Sequence, residues 1–369
     1  MKKIILIAAT YLLPFLLYAD PLASWTTQNS GTTNNIYGVI FANANFVAIS
    51  APGTVLSSPD GVTWSSHNSG NTNVGAGITF DGIKYVVSGF AGTILTSPNL
   101  VSWTQQTSGT TNLLRELAYI NGTFYAVGAL GTILTSTNGT NWVSQTSGTT
   151  SQLQGIAFGN GTFVAVAQGG GIITSPNGTT WTGRTSGTSF DLTQVVFAKG
   201  IFVVSGDGGT ILTSSDGVTW SSQSSGTSHE LSGVTYGNGV FVAVGSAGGP
   251  NQTIDTSLDA TNWNLRIQTT GQSLYRAAYG NGTFVTVGNS GTILQSGNAS
   301  LGLTQSQLIG SSFYSKITNG IGQETIVQAS TNLTVWVSIL TNISTSASLQ
   351  FQDTTATNYP LRFYRVTVP

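Results

Sequence analysis

Two carboxylates, Asp191 and Glu230, stand 39 residues apart at the same position of a repeating phrase. Such a pair can act as general acid and base, and an inverting glycosidase needs the two roughly 6.5 to 9.5 Å apart with the acid's pKa raised. One place earlier the same columns hold Phe190 and His229, and further polar departures from the repeat fall at Arg115, Glu116, Asp207, Tyr275 and Arg276. Each also reads as a solvated loop residue, because exposed charged groups are ordinary. A single histidine makes no zinc site without other nitrogen or sulfur ligands. No catalytic residue, metal ligand or cofactor is therefore assigned, and these nine residues are the expected binding residues.

The elements that must carry them come from the repeat itself. Tryptophans recur at Trp25, Trp64, Trp103, Trp142, Trp181, Trp220 and Trp263, every 39 residues except for a last interval of 43. Two aromatic columns keep the same phase, one from Phe41 to Tyr279 and one from Phe46 to Phe284. A period near 40 marks a propeller or a solenoid. Within one unit, Leu153 to Phe158 and Phe163 to Ala167 are apolar runs flanking Asn160-Gly161, a strong hairpin signal that defines strands A and B. Ile172 to Ser175 reads as strand C, and Pro176-Asn177-Gly178 turns the chain into the Trp181 strand, D. Four short strands per repeat make a propeller blade. This strand order puts the A–B and C–D turns on one face and the B–C and D–A connections, with the candidate residues around the channel mouth, on the other.

The C–D turn has the form Ser58-Pro59-Asp60-Gly61-Val62-Thr63-Trp64, again at Ser214 to Trp220. It resembles the Asp-box of sialidase-type propellers, with one residue fewer between Asp and Gly. The whole repeat, with segments such as Gly128 to Ser136, is similar to the photosystem II assembly-factor type of propeller over residues 25 to about 300. The resemblance implies the fold; by analogy alone it would also imply an assembly role on a membrane complex. A sialidase would call for an arginine triad and a tyrosine nucleophile paired with a glutamate, whereas Arg115, Arg184, Arg266 and Arg276 are the only arginines of the repeat region, and Tyr275 and Arg276 are adjacent in one strand.

Residues 1–19, with Lys2, Lys3 and an apolar run from Ile4 to Tyr18 before Ala19-Asp20-Pro21, read as a secretory signal peptide. The run is shorter than a membrane span and Pro14 interrupts it, so cleavage is expected after Ala19 with no transmembrane segment left. Its removal leaves nine basic residues against twelve acidic ones, a formal charge of −3. With charged residues only 6% of the chain and no basic stripe, nucleic acid is not an expected partner. The absence of cysteine excludes a disulfide framework and a thiol nucleophile.

Trp25 precedes any strand A, while Leu274 to Ser296 supplies a last A-B-C set without its tryptophan. The expected fold is therefore all-β: a seven-bladed β-propeller over 20–303, closed by the strand around Ser24 to Thr27, which leaves no open edge. In the blade ending at Trp263 the insertion Ala247 to Gln252 should lengthen one B–C loop, and Asp255 replaces the usual leucine. Residues 304–369 lose the rhythm and read as a small β-sandwich-like module, although Ser330 to Trp336 keeps the spacing of a blade turn and leaves a relic eighth blade as the alternative. The sequence thus points to an exported, monomeric, non-enzymatic binding or scaffold protein for a protein or glycan partner, periplasmic, cell-surface or extracellular. A carbohydrate-active enzyme using the rim carboxylates is the alternative.

Overall fold

The computed structural model describes residues 22, 24–246, 252–268 and 271–297, and from 302–367 the segments 302–309, 312–318, 324–331, 335–343, 348–358 and 362–367. The expected signal peptide and residues 247–251 of the insertion lie outside them. The chain forms two compact units, one built from Trp25–Gly237 with Phe241–Gln295, the other containing residues 296–369.

The first unit is a ring of seven four-stranded antiparallel sheets. The first blade runs Ile36–Ala42, Asn45–Ser50, Thr54–Ser58, Ser65–Asn68 from strand A to strand D, and five more follow in the same order. The seventh takes A, B and C from Leu274–Gly280, Thr283–Gly288 and Ile293–Ser296, and its outer strand from Trp25–Gln28. The chain is therefore closed by its N-terminal strand, where the sequence placed it.

Local chemistry explains the strands. The A–B turns at Asn121-Gly122, Asn160-Gly161, Asn238-Gly239 and Asn281-Gly282 have positive φ at both residues, the two-residue turn whose twist suits a hairpin. In the C–D turn of the first blade, Asp60 Oδ1 accepts from the Val62 and Thr63 amides at 2.9 Å, and Trp64 Nε1 donates to the Gly61 carbonyl at 2.9 Å. The indole is thus pinned at the point where strand D begins.

The core lies between blades. Ile36, Val39, Phe46, Ala48 and Leu56 of the first blade form one buried cluster with Ala278, Val285, Val287 and Ile293 of the seventh, and the other clusters join neighbours in the same way. Full burial of one such side chain is worth about 1.5–3 kcal/mol, so each seam depends on its neighbour being in place. The sixth blade differs. Its third and fourth strands, Gln252–Ser257 and Trp263–Gln268, are six residues each, so the four extra residues go with taller strands and not only with a longer loop.

The second unit has two three-stranded sheets. Gly302–Ile309, Ser312–Thr318 and Ser348–Asp353 make one; Val337–Ile343, Glu324–Ser330 and Phe363–Thr367 make the other. Val337–Ile343 pairs with Glu324–Ser330, not with a blade strand. Phe313, Phe351 and Tyr364 pack together between the sheets, and the Tyr364 hydroxyl donates to Asp353 Oδ2 at 3.0 Å.

Candidate functional site at the channel mouth

Each strand A contacts the next around the ring, back to the first, so the seven strands enclose the channel. One column of the repeat within these strands reads Gly38, Gly77, Glu116, Gly155, Gln194, Gly233 and Arg276. Glycine is demanded by crowding: a Cβ on Gly77 would lie 2.8 Å from the Leu117 amide nitrogen, and one on Gly233 2.5 Å from the Tyr275 carbonyl oxygen. The neighbouring blade's backbone fills that space. Only the third, fifth and seventh blades carry side chains there, and these meet inside the ring.

Arg276 Nη2 lies 3.4 Å from Glu116 Oε2 across the channel, and both side chains are largely buried. The same guanidinium donates to the carbonyls of Ser232, of Tyr275 at 3.0 Å and of Thr193 at 3.5 Å. Burial pushes the Glu116 carboxyl up from its ordinary range, while Arg276, Arg115 and a bond from Gln194 pull the other way. Glu116 and Arg276, expected on the rim, are thus a plug within the channel. Gln194 was not singled out from the sequence, although its departure from a column of glycines was a usable signal.

Just outside the plug, residues from several blades converge. Tyr275 stacks on Tyr37 with ring centroids 5.2 Å apart, and its hydroxyl donates to Asn289 Oδ1. Burial depresses the basicity of Arg115, nearby Arg276 adds to this, and Glu116, Glu230 and Tyr37 oppose it, so each of these four groups lies within electrostatic reach of Arg115. Glu230 is exposed and accepts from Ser232 Oγ at 2.6 Å. Asp207 is pushed up by burial, then by Glu230 and Asp191.

Asp191 is held in a structural role. Its Oδ1 accepts from the Gly169 amide at 2.8 Å and its Oδ2 from Gln168 Nε2 at 3.2 Å, which ties it to the B–C turn of the fourth blade. Phe190, 53% exposed, lies over the turn at Gly208, where a Cβ would come within 2.9 Å of its ring. His229 is exposed, with its amide bonded to Thr227 Oγ1 at 3.1 Å. Among the described residues no group of three or more His, Cys, Asp and Glu is placed to hold a metal ion.

Sequence reasoning also missed an apolar component on this face. The middle residue of the B–C turns has positive φ, namely Ala91, Leu130, Gly169, Gly208 and Ser290. Leucine is unfavourable there by about 1–2 kcal/mol, yet Leu130 has φ 54 and is 68% exposed. Phe90, in the equivalent turn of the second blade, is also half exposed. Between the D–A loops and these turns run polar grooves lined by Gly, Ser, Thr and Gln; the one holding Leu130 has a volume of about 750 Å³ and the one holding Phe190 about 550 Å³.

Neither a family model nor a curated protein matches the chain. Solved structures do. YCF48 bound to D1 peptide aligns at 18% identity and TM-score 0.60, covering 74% of this chain and 94% of that one. YCF48 from Cyanidioschyzon merolae aligns at 17% identity and TM-score 0.61, covering 74% and 99%. The WD40 β-propeller domain of Doa1 gives 16% identity and TM-score 0.60, covering 73% and 96%. The ring is a seven-bladed β-propeller. Identity this low carries fold and nothing finer, so the site must be read from its own residues.

Proposed function

We propose that the chain is an exported, non-enzymatic binding protein that holds a protein partner on the B–C/D–A face. The observation that carries this reading is the exposure of Phe90, Leu130 and Phe190 on the face where Arg115, Glu230, Asp207 and the Tyr37–Tyr275 stack converge. Leu130 weighs most, because a strained, exposed leucine contributes nothing to the propeller's own core, and such strain gathers where contacts are made. Asp191, tied to a neighbouring turn, fits a scaffold for this surface better than it fits a general acid or base. The YCF48 propeller bound to a D1 peptide is an instance of this fold holding a polypeptide, which supports a partner of that kind. The apolar run after Lys2 and Lys3 supports export. A glycan is the second reading, favoured by the hydroxyl- and amide-lined grooves.

The test is chemical cross-linking in the source cells with wild-type protein and with two variants, Leu130→Gly and Phe190→Ser combined with Glu230→Ala. A defined protein lost with both variants, while their melting temperatures stay near that of the wild type, is expected. Equal recovery would remove the face from consideration, and turnover of a polysaccharide abolished by Asp191→Ala or Glu230→Ala would replace the reading with the enzymatic one.

A further inference from the structure

One tripeptide, Asn-Gly-Thr, recurs in the repeat region at Asn121, Asn138, Asn160, Asn177 and Asn281. In an Asn-Gly pair the side-chain amide is open to attack by the following backbone nitrogen, because glycine has no Cβ to shield that nitrogen or restrict its approach. The local sequence is the same at all five positions. Any difference in their reactivity therefore comes from the fold.

Four of the five are held. Asn160 Nδ2 donates to the Ser215 carbonyl at 2.8 Å and to the Gly200 carbonyl at 3.4 Å, and Asn281 Nδ2 donates to the Pro59 carbonyl at 2.6 Å, so each amide is tied to the next blade. In the C–D turns, Asn138 Oδ1 accepts from the Thr140 and Asn141 amides at 2.9 Å, and Asn177 Oδ1 from the Thr179 amide at 3.0 Å and the Thr180 amide at 2.9 Å. The attacking nitrogens are engaged there as well, the Gly139 and Gly178 amides donating to Ser136 and Ser175 Oγ at 2.8 Å. Such a bond must break before the ring can close, which slows the reaction roughly five- to tenfold for each bond. Asn121 differs. It and Gly122 are both exposed, and among the described residues its side chain makes no hydrogen bond. Its turn closes the hairpin of the third blade, with Ile120 paired to Thr123 and Tyr119 to Phe124, and strand A of that hairpin carries Arg115 and Glu116.

We propose that Asn121-Gly122 is the ring's site of spontaneous deamidation, which makes a neutral turn acidic and, in its isoaspartate product, loosens the hairpin that carries Arg115 and Glu116. The Gly122 nitrogen gives up its proton and attacks Asn121 Cγ; the Cγ–Nδ2 bond breaks and ammonia leaves. Water then opens the cyclic succinimide at either carbonyl. One opening gives aspartate, which tolerates the φ of 50 at this position. The other gives isoaspartate, whose main chain is one carbon longer than the two-residue turn was built for. Only water is consumed, and neither a partner nor the channel mouth takes part.

Peptide mapping by mass spectrometry follows the full chain incubated folded at mildly alkaline pH, beside a sample unfolded in urea. In the folded protein Asn121 should lose its amide at least about fivefold faster than any of the other four. In urea the five should react alike. A folded-state rate at Asn121 no faster than at Asn160 or Asn281, or the same ranking in urea, would overturn the assignment. The effect on the hairpin is read by isolating the form with isoaspartate at 121 alone and comparing it with Asn121→Asp, which has the same composition and charge. Asn121→Asp should melt near the wild type and the isoaspartate form clearly below it. Equal melting temperatures for these two would mean that the turn absorbs the extra carbon and the hairpin is not loosened.

Discussion

Asp255 occupies the column that holds Leu56, Leu95, Leu134, Ile173, Leu212 and Leu294 in the other blades, and it is fully buried with no protein hydrogen bond to either carboxyl oxygen. Burial pushes its carboxyl up to about 7, and the nearby Thr256 amide and Arg266 charge offset only part of that. In the unfolded chain the group returns toward 3.8. Between these values the folded state holds a proton that the unfolded state has released, so stability must fall as pH rises from 4 to 7 and level off above. A shift of this size corresponds to a loss on the order of 3–4 kcal/mol. Urea midpoints from pH 4 to 8 for the wild type and Asp255→Leu provide the check. The variant is expected to be the more stable at pH 8 by about 2 kcal/mol or more, and to lose most of the pH dependence. A wild-type-to-variant difference that does not change with pH would sink this account.

At the scale of the element, the strand A column that runs from Gly38 to Arg276 decides what the channel contains. Where that residue is glycine the neighbouring backbone closes in; where it is Glu116, Gln194 or Arg276 a side chain fills the lumen. Removing one partner leaves the other charge enclosed, and breaking a buried pair costs about 3–5 kcal/mol, less here because both groups keep some contact with the lumen. Glu116→Ala and Arg276→Ala should each lower stability by about 2 kcal/mol, and the double variant by clearly less than their sum. Additive losses in a denaturant-unfolding cycle would mean that the two groups do not act as a pair. The same strands show what sequence reading reaches. The Asn-Gly turns, the aromatic columns and the Trp turn were legible because each is settled by residues close together in the chain. Glu116 and Arg276 stood out as breaks in the repeat, but their meeting depends on a ring that brings positions 160 residues apart within 3.4 Å, and no local pattern encodes that. Gly302–Ile309 escaped notice because Thr304 to Gln307 is wholly polar. The taller sixth blade escaped for a different reason: an insertion reads as loop until its flanking strands are seen to pair.

At the scale of the whole molecule, closure rests on the first described strand. Trp25–Gln28 completes the seventh blade against Ile293–Ser296, with Trp25 buried and Gln28 Nε2 donating to Gln295 Oε1 at 3.3 Å. The buried seam between the first and seventh blades draws on Ile36 and Phe46 from one side and Val285 and Ile293 from the other, so the two ends of the repeat array hold each other through side chains as well as through the shared sheet. Deleting residues 20–30 removes the tryptophan and leaves Ile293–Ser296 as a bare edge. Losing one buried aromatic alone costs about 3–5 kcal/mol, which in a chain of this size lowers Tm by roughly 10 °C. Trp25→Ala should account for most of that loss, since the outer strand contributes little other buried surface. A synthetic peptide covering residues 22–30, added to the truncated protein, should raise Tm in a concentration-dependent way, because it binds the folded ring and not the unfolded chain. If the truncated protein melts with the wild type, or if the peptide leaves its Tm unchanged at any concentration, the ring is held shut by the interblade seam and the shared blade is dispensable.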